Sequence, residues 1–272
     1  MDSKPDPGTE AESPQAEEQG GLTFMDHLVE LRRRLIICAL AVGVGFFGAY
    51  AVKEYIFEIM AWPLIQALPD TDHALIFTNL VEPFMVYLKL SFAAGIVLAL
   101  PVIMHQVWMF IGPGLYSHEK RMIFPLVFLS CLFFAAGAAF GYFVVFPFGF
   151  KALIEFAGPS MSAFPSVKEY YGLVSKMLLV FGLIFELPLF ISVFARFGLV
   201  TPAFLRKNRR YAILIIFVAA AILTPPDVFS QLLMALPLLV LYEAGILGAV
   251  IFGRAREKAE PPDPEPSPEN PA

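Results

Sequence analysis

Apolar positions along this chain gather into six long runs separated by polar stretches. A hydrocarbon core of about 30 Å takes about 20 helical residues to cross. The runs at roughly 35–52, 84–108, 122–146, 170–195, 211–223 and 229–250 therefore predict six transmembrane helices, an all-α polytopic membrane protein. The fifth run is unusual. Its 13 residues cover only about 20 Å as a helix, and Thr224-Pro225-Pro226-Asp227 then forces a turn. The last two runs thus predict a short helical hairpin whose outer end stops below the far surface, thinning the bilayer or leaving a protein-lined dent.

The segments between the runs carry their own signals. Thr23 and Asp26 make a capping box, and Phe24, Leu28, Leu31 and Leu35 repeat at helical spacing. This predicts a short amphipathic helix lying on the membrane interface, with Glu30 on its polar side. Residues 53–82 and 147–169 are too polar to span and are expected to form ordered caps, with Ser166 and Glu169 marking a helix restart.

Composition strengthens the membrane reading. Of 272 residues, 58% are hydrophobic and 16% charged, and the mean hydropathy is +0.69. Soluble domains hold about 45 to 50% apolar and 25% charged residues, so an ordinary soluble domain is excluded. The net charge of −5 comes from the ends: residues 1–20 and 253–272 together carry −7, leaving +2 on residues 21–252. Both acidic, proline-rich tails are expected to be disordered, flanking one transmembrane domain over 21–252. A mildly positive core gives no case for nucleic-acid binding. Cys38 and Cys131 sit singly in apolar runs, so no disulfide framework or metal site is suggested.

Charge also orients the chain. Fourteen of the 19 Lys and Arg residues lie before the first run, between the second and third, between the fourth and fifth, or after the sixth. Because basic residues stay on the cytoplasmic side, both termini are predicted cytoplasmic. The opening mimics a secretory signal, with Arg32 to Arg34 ahead of an apolar run and Ala49-Tyr50-Ala51 behind it. The run's full membrane length and the acidic stretch before it favour an uncleaved first span.

Several polar residues stand out against this background. Glu186 lies ten residues before Arg196, about 15 Å along a helix, near the middle of the membrane. Intramembrane acids are costly and generally mark a pathway or partner site, against the plainer reading of a protonated structural acid; Pro188 loosens the helix beside it. Gln231 and Asp227 extend this polar line, although Asp227 reads equally as an N-cap of the sixth helix. Glu243 is also deep and stays unassigned. The segment Phe110 to Arg121 joins two spans through Gly112-Pro113-Gly114 and presents Glu119 at headgroup level. With Glu30 it offers two carboxylates to a basic peptide, since an arginine forks onto a carboxylate through two hydrogen bonds. Pairing of Glu119 with Lys120 or Arg121 is the competing reading.

No catalytic constellation emerges. Gly43-Val-Gly-Phe-Phe-Gly48 fits G-x-G-x-x-G but lies inside a span, where helix packing explains it better than a nucleotide, as it does the Gly137/Gly141 pair. The four histidines show no metal spacing, and no cofactor is called for.

The strings His27-Leu-Val-Glu-Leu-Arg-Arg-Arg-Leu35, Pro101-Val-Ile-Met-His-Gln-Val-Trp-Met-Phe-Ile-Gly-Pro-Gly-Leu-Tyr-Ser-His-Glu-Lys-Arg121, Tyr142-Phe-Val-Val-Phe-Pro147 and Thr224-Pro-Pro-Asp-Val-Phe-Ser-Gln231 closely resemble the TatC family, receptor subunits of the twin-arginine protein translocase. The likeness runs from about residue 22 to 256. It implies a concave, glove-like six-helix protein of the bacterial cytoplasmic (inner) membrane, not an enzyme. Such a protein would bind twin-arginine signal peptides of folded cargo, self-associate, and work with the single-span subunits TatB and TatA on the protonmotive force. Matched motif to motif, Glu119 would be the main acid for the arginine pair, with Glu30 assisting and Phe110 shaping the site. Glu186 and Gln231 would face partner transmembrane helices, and Asp227 would lie in the far-side turn. The rival reading is a channel or secondary transporter with Glu186 as its ion site, but the two halves show no repeat of the kind such proteins use.

Overall fold

The computed structural model describes residues 24–68, 75–111, 123–157, 164–223 and 228–253, and its regular elements among these are helices, with one isolated β-bridge. The helices are α1 (Phe24–Ala51), α2 (Lys53–Ile65), α3 (Glu82–Ile111), α4 (Ile123–Phe140), α5 (Phe146–Ala157), α6 (Val167–Phe185), α7 (Leu187–Arg196), α8 (Pro202–Lys207), α9 (Arg209–Leu223) and α10 (Val228–Phe252). Among the described residues five stretches are long and apolar enough to cross a membrane: Leu28–Ala51, Glu82–Ile111, Ile123–Phe156, Val167–Arg196 and Ser230–Phe252. The fifth apolar run, α9, has 15 residues and covers about 22 Å. That is the short hairpin arm the sequence predicts.

Two helices differ from expectation. The interfacial helix anticipated ahead of residue 35 is not separate: α1 runs unbroken from Phe24 to Ala51. No proline falls in that stretch, and without one nothing interrupts the i to i−4 ladder. The third run continues beyond residue 146. A π-helical turn over Gly141–Val145 joins α4 to α5, ahead of Pro147, whose missing N–H leaves the carbonyl four residues back unmatched. The helix therefore absorbs the proline with a wider turn and proceeds to Ala157.

Packing in lipid relies on close backbone approach rather than on hydrophobic contrast. A Cβ on Gly95 would stand 2.6 Å from the Phe46 nitrogen, and one on Gly45 would stand 2.5 Å from the Gly95 carbonyl oxygen, so α1 and α3 touch through their main chains. Gly43 and Gly48 face open space; of that glycine string only Gly45 serves the packing. In the third span, Gly137 of α4 fits against the Phe181 carbonyl and Gly141 of the π turn against the Phe181 ring of α6, the packing role expected for this pair.

The described parts of the two caps, residues 53–68, 75–82, 147–157 and 164–169, are held by side chains of the spans. Pro63 inside α2 leaves the Ile59 carbonyl without its helical donor, and the Tyr142 hydroxyl donates to that oxygen at 2.6 Å. Tyr170 and Tyr171 donate to the Met60 and Phe57 carbonyls at 2.6 and 3.0 Å. Three phenols thus hold α2 onto the third and fourth spans. A backbone bridge between Ile76 and Ser166 ties the two caps together; Ser166 occupies the N-cap of α6 without a side-chain capping bond.

Enlarging Gly95 tests the main-chain contact. Gly95→Leu is expected to lower thermal stability in detergent by about 1 to 3 kcal/mol, the usual penalty of forcing side-chain volume into a packed site. Gly48→Leu, which meets open space, is expected to leave it unchanged; equal effects would count against the α1–α3 contact.

Candidate functional site

The fourth span breaks where the sequence placed its acid. Pro188 sits at the start of α7 and Glu186 occupies the single residue between α6 and α7. Its backbone stays tied into the chain, the N–H donating to Leu183 at 3.2 Å and the carbonyl accepting from Phe190 at 3.0 Å. The side chain is fully buried. Ser130 of α4 is the hydroxyl beside it, but neither carboxyl oxygen closes a hydrogen bond among the described residues. Ser130 is itself held by Trp108 of α3, whose indole N–H donates to it at 2.9 Å. Trp108 stacks on Phe190 with ring centres 5.0 Å apart. Leu100, Met104, Phe134, Leu189 and Val193 complete an apolar shell. The expectation that Glu186 faces a partner helix thus meets a carboxyl enclosed by its own chain, so contact with a partner requires this shell to open.

A second polar group forms where α1 and α3 meet, at the bundle end rich in arginine. Glu30 accepts from Arg34 one turn on, through both Nε (3.2 Å) and Nη2. Arg34 Nη1 in turn reaches the carbonyl and side-chain oxygens of Gln106 on α3, at 3.4 and 3.5 Å. Gln106 lies one turn before Phe110, on the same stripe of α3, and Phe110 is half-buried. Glu30 and Phe110 therefore share one neighbourhood. Glu119 and the Gly-Pro-Gly turn lie outside the described residues, as does Asp227.

Gln231 donates to the Phe217 carbonyl at 3.1 Å, clasping α10 to α9 near the hairpin tip. At the opposite end of the hairpin Arg209 binds Glu243 at 2.6 Å, which gives the unassigned Glu243 a structural partner. Between α1, α2, α3, α4 and α6 opens an almost wholly apolar cavity of about 550 Å³. Ser175 lines it with a hydroxyl unbonded among the described residues.

Sequence reasoning missed several of these pairings. The Glu30–Arg34 spacing was readable as an i, i+4 ion pair. Trp108 with Ser130, Arg34 with Gln106, and Arg209 with Glu243 join residues 22 to 72 positions apart, and no local pattern announces them. Among the described residues no three His, Cys, Asp or Glu side chains gather to hold a metal ion.

Long apolar helices tied by internal polar clasps define a multi-pass membrane protein. A family model described as Sec-independent protein translocase protein (TatC) matches residues 26–237; the chain belongs to the TatC family, bacterial multi-pass membrane proteins that are non-enzymatic transport subunits. The TatC of Desulforapulum autotrophicum is 52% identical over 237 residues, 87% of each chain. That of Escherichia coli strain K12 is 39% identical over 238 residues, covering 87% of this chain and 92% of its own. A crystal structure of the twin arginine translocase receptor TatC superposes with a TM-score of 0.76 at 42% identity, covering 83% of this chain and 99% of that one.

The buried acid yields a separable test of stability and function. An unsatisfied buried polar group costs about 1 to 3 kcal/mol, and an apolar replacement of similar size removes that cost. Glu186→Leu is therefore expected to leave thermal stability equal or higher while lowering protein export. Reduced stability together with unchanged export would make the residue merely structural.

Proposed function

We propose that this chain is the receptor subunit that binds twin-arginine signal peptides of folded cargo. In this reading it nucleates a translocation complex with TatB and TatA, uses the protonmotive force, and self-associates. The chain crosses the bacterial inner membrane six times with both termini cytoplasmic, α9 being the short crossing, and the apolar cavity between α1, α3, α4 and α6 supports a concave, glove-like shape. The tails over 1–20 and 253–272 stand apart from the transmembrane domain over 21–252.

The observation that carries the reading is the arginine-loaded carboxylate at the α1–α3 junction. Glu30 already holds a guanidinium, that of Arg34, within a turn or two of Phe110 and eight residues of chain from the end of α3 to Glu119. In this arrangement Glu119 is the principal acid for the incoming arginine pair. Glu30 is the assisting acid, sharing its charge between Arg34 and the peptide, and Phe110 forms the apolar wall. Glu186 and Gln231 are the groups through which partner transmembrane helices are engaged, and Asp227 belongs to the far-side turn.

The experiment is equilibrium binding of a fluorescent twin-arginine signal peptide to the protein in nanodiscs, alone and with TatB, against a twin-lysine peptide. Lysine cannot form the planar fork, so the arginine peptide is expected to bind more tightly. A hydrogen bond to a charged group contributes about 1.5 to 3 kcal/mol. Glu119→Gln should then weaken the arginine peptide by roughly 10- to 100-fold and the lysine peptide far less. Glu30→Gln should weaken it by a smaller factor, because Arg34 already occupies part of that carboxylate. Equal losses for both peptides would refute direct contact.

A further inference from the structure

Between the fourth span and the hairpin lies a rigid elbow whose chemistry the peptide reading does not use. Its first part, α8, is pinned at every turn. Thr201 Oγ1 accepts from the Phe204 N–H at 3.2 Å, and Asn208 Nδ2 donates to the Phe204 carbonyl at 3.0 Å. The Tyr242 hydroxyl donates to the Leu205 carbonyl at 3.0 Å, and Leu205 packs with Ala195, Ile246 and Ala249. On this fixed base Arg206, Lys207, Arg209 and Arg210 are all exposed within five residues.

Their charge is largely uncompensated. Glu243 is the sole carboxylate among the described residues of α7 to α10, and Arg209 takes it. Arg206 and Lys207 make no ion pair among the described residues, and Arg210 meets only the Tyr211 phenol, at 3.1 Å to its hydroxyl and 4.8 Å to its ring. Around these cations stand exposed apolar groups: Leu199, Phe204 and Tyr211 are 71%, 60% and 52% accessible. Cations interleaved with exposed apolar and aromatic side chains, next to spanning helices, match a lipid in its two parts. The phosphate is recognised by guanidinium forks and ammonium, and the acyl chains by the apolar flank. A soluble acidic protein would satisfy the cations but leave Leu199 and Phe204 in water.

We propose that the α8–α9 elbow is a binding site for an anionic phospholipid, with Arg206, Lys207 and Arg210 on its phosphate and Phe204 and Leu199 against its chains. Arg209 is the fixed member of the set, locked by Glu243 and setting the depth of the other three. The site holds one leaflet to the N-terminal end of α9, a helix whose 15 residues fall short of the bilayer's thickness.

Native mass spectrometry of the full chain, equilibrated in detergent with equal amounts of phosphatidylglycerol and phosphatidylcholine, tests this. Wild-type protein is expected to retain the anionic lipid preferentially. Each cation near an anionic surface contributes roughly a fivefold change in binding, so R206Q/K207Q/R210Q should cut retention by about 100-fold. The control K53Q/K151Q/K168Q, which removes the same charge at the capped end of the bundle, should retain lipid as wild type does. Glycerol phosphate in excess should not displace the lipid, since it lacks chains for Phe204 and Leu199. Equal retention of both lipids, or retention unchanged in the elbow variant, overturns the proposal, as does displacement by glycerol phosphate. Single R206Q serves as a milder variant, expected to lose about fivefold with its melting temperature unchanged. Twin-arginine peptide binding, measured on the same preparations, should survive in both elbow variants; its loss with lipid retention intact would speak against the receptor site and not against the lipid site.

Discussion

In hydrocarbon no water is at hand to receive a stray backbone oxygen, so every gap in a helix must be closed by the protein itself. This constraint orders much of the present structure, because proline opens such gaps repeatedly. Where Pro63 frees the Ile59 carbonyl, a tyrosine from another span supplies the proton, and the closure doubles as the tie that holds a cap on the bundle. Where Pro147 would leave a carbonyl bare, the helix widens into a π turn. Where Pro188 interrupts the fourth span, the break is a single residue wide and that residue is Glu186. Local chain chemistry therefore decides where the bundle is tied, bent and open to function.

Most polar side chains obey the same rule; among the described residues Ser91, Ser175 and Glu186 do not. Gln231 closes on Phe217, Arg209 on Glu243, and Trp108 on Ser130; each clasp joins two helices and leaves no charge or donor facing lipid alone. Glu186 is enclosed and yet unbonded among the described residues. A buried acid left in this condition is a standing cost to stability, and proteins keep such residues where activity needs them. The bundle thus contrasts clasps that are satisfied with one buried acid left unsatisfied among the described residues.

Much of this was legible in the sequence, for identifiable reasons. Spans are set by local composition, and the second, fourth, fifth and sixth apolar runs end within a few residues of the helices they predict, including the curtailed α9. The depth of Glu186 followed from counting residues back from Arg196, and the break beside it from Pro188. What the sequence hid was non-local. A capping box at Thr23 and an amphipathic stripe suggested a separate helix, but stripe and span share one period, so they fuse into α1 once no breaker lies between them. Polar residues over 147–169 suggested an end of the third run at 146, whereas the helix continues through a wider turn to Ala157. Glu30 read as an acid open to a peptide; Arg34 and Gln106 at its side became visible only when α3 was laid against α1.

The two polar groups are joined by the last turns of α3. Gln106 and Phe110 lie on one stripe of that helix, toward Arg34 and Glu30, while Met104 and Trp108 lie on another, inside the shell around Glu186. A helix is stiff over two turns, so a force on one stripe is carried to the other as rotation or translation rather than absorbed. The Trp108–Ser130 bond and the stack on Phe190 then bear directly on both sides of the break at Glu186. A ligand at the arginine end can open the enclosed acid only by differing in affinity between the closed and the displaced positions of this helix end. With the shell closed, a partner helix cannot reach the carboxyl at all. The Glu30–Arg34–Gln106 group and the apolar shell around Glu186 are thus tied to the same few side chains of α3.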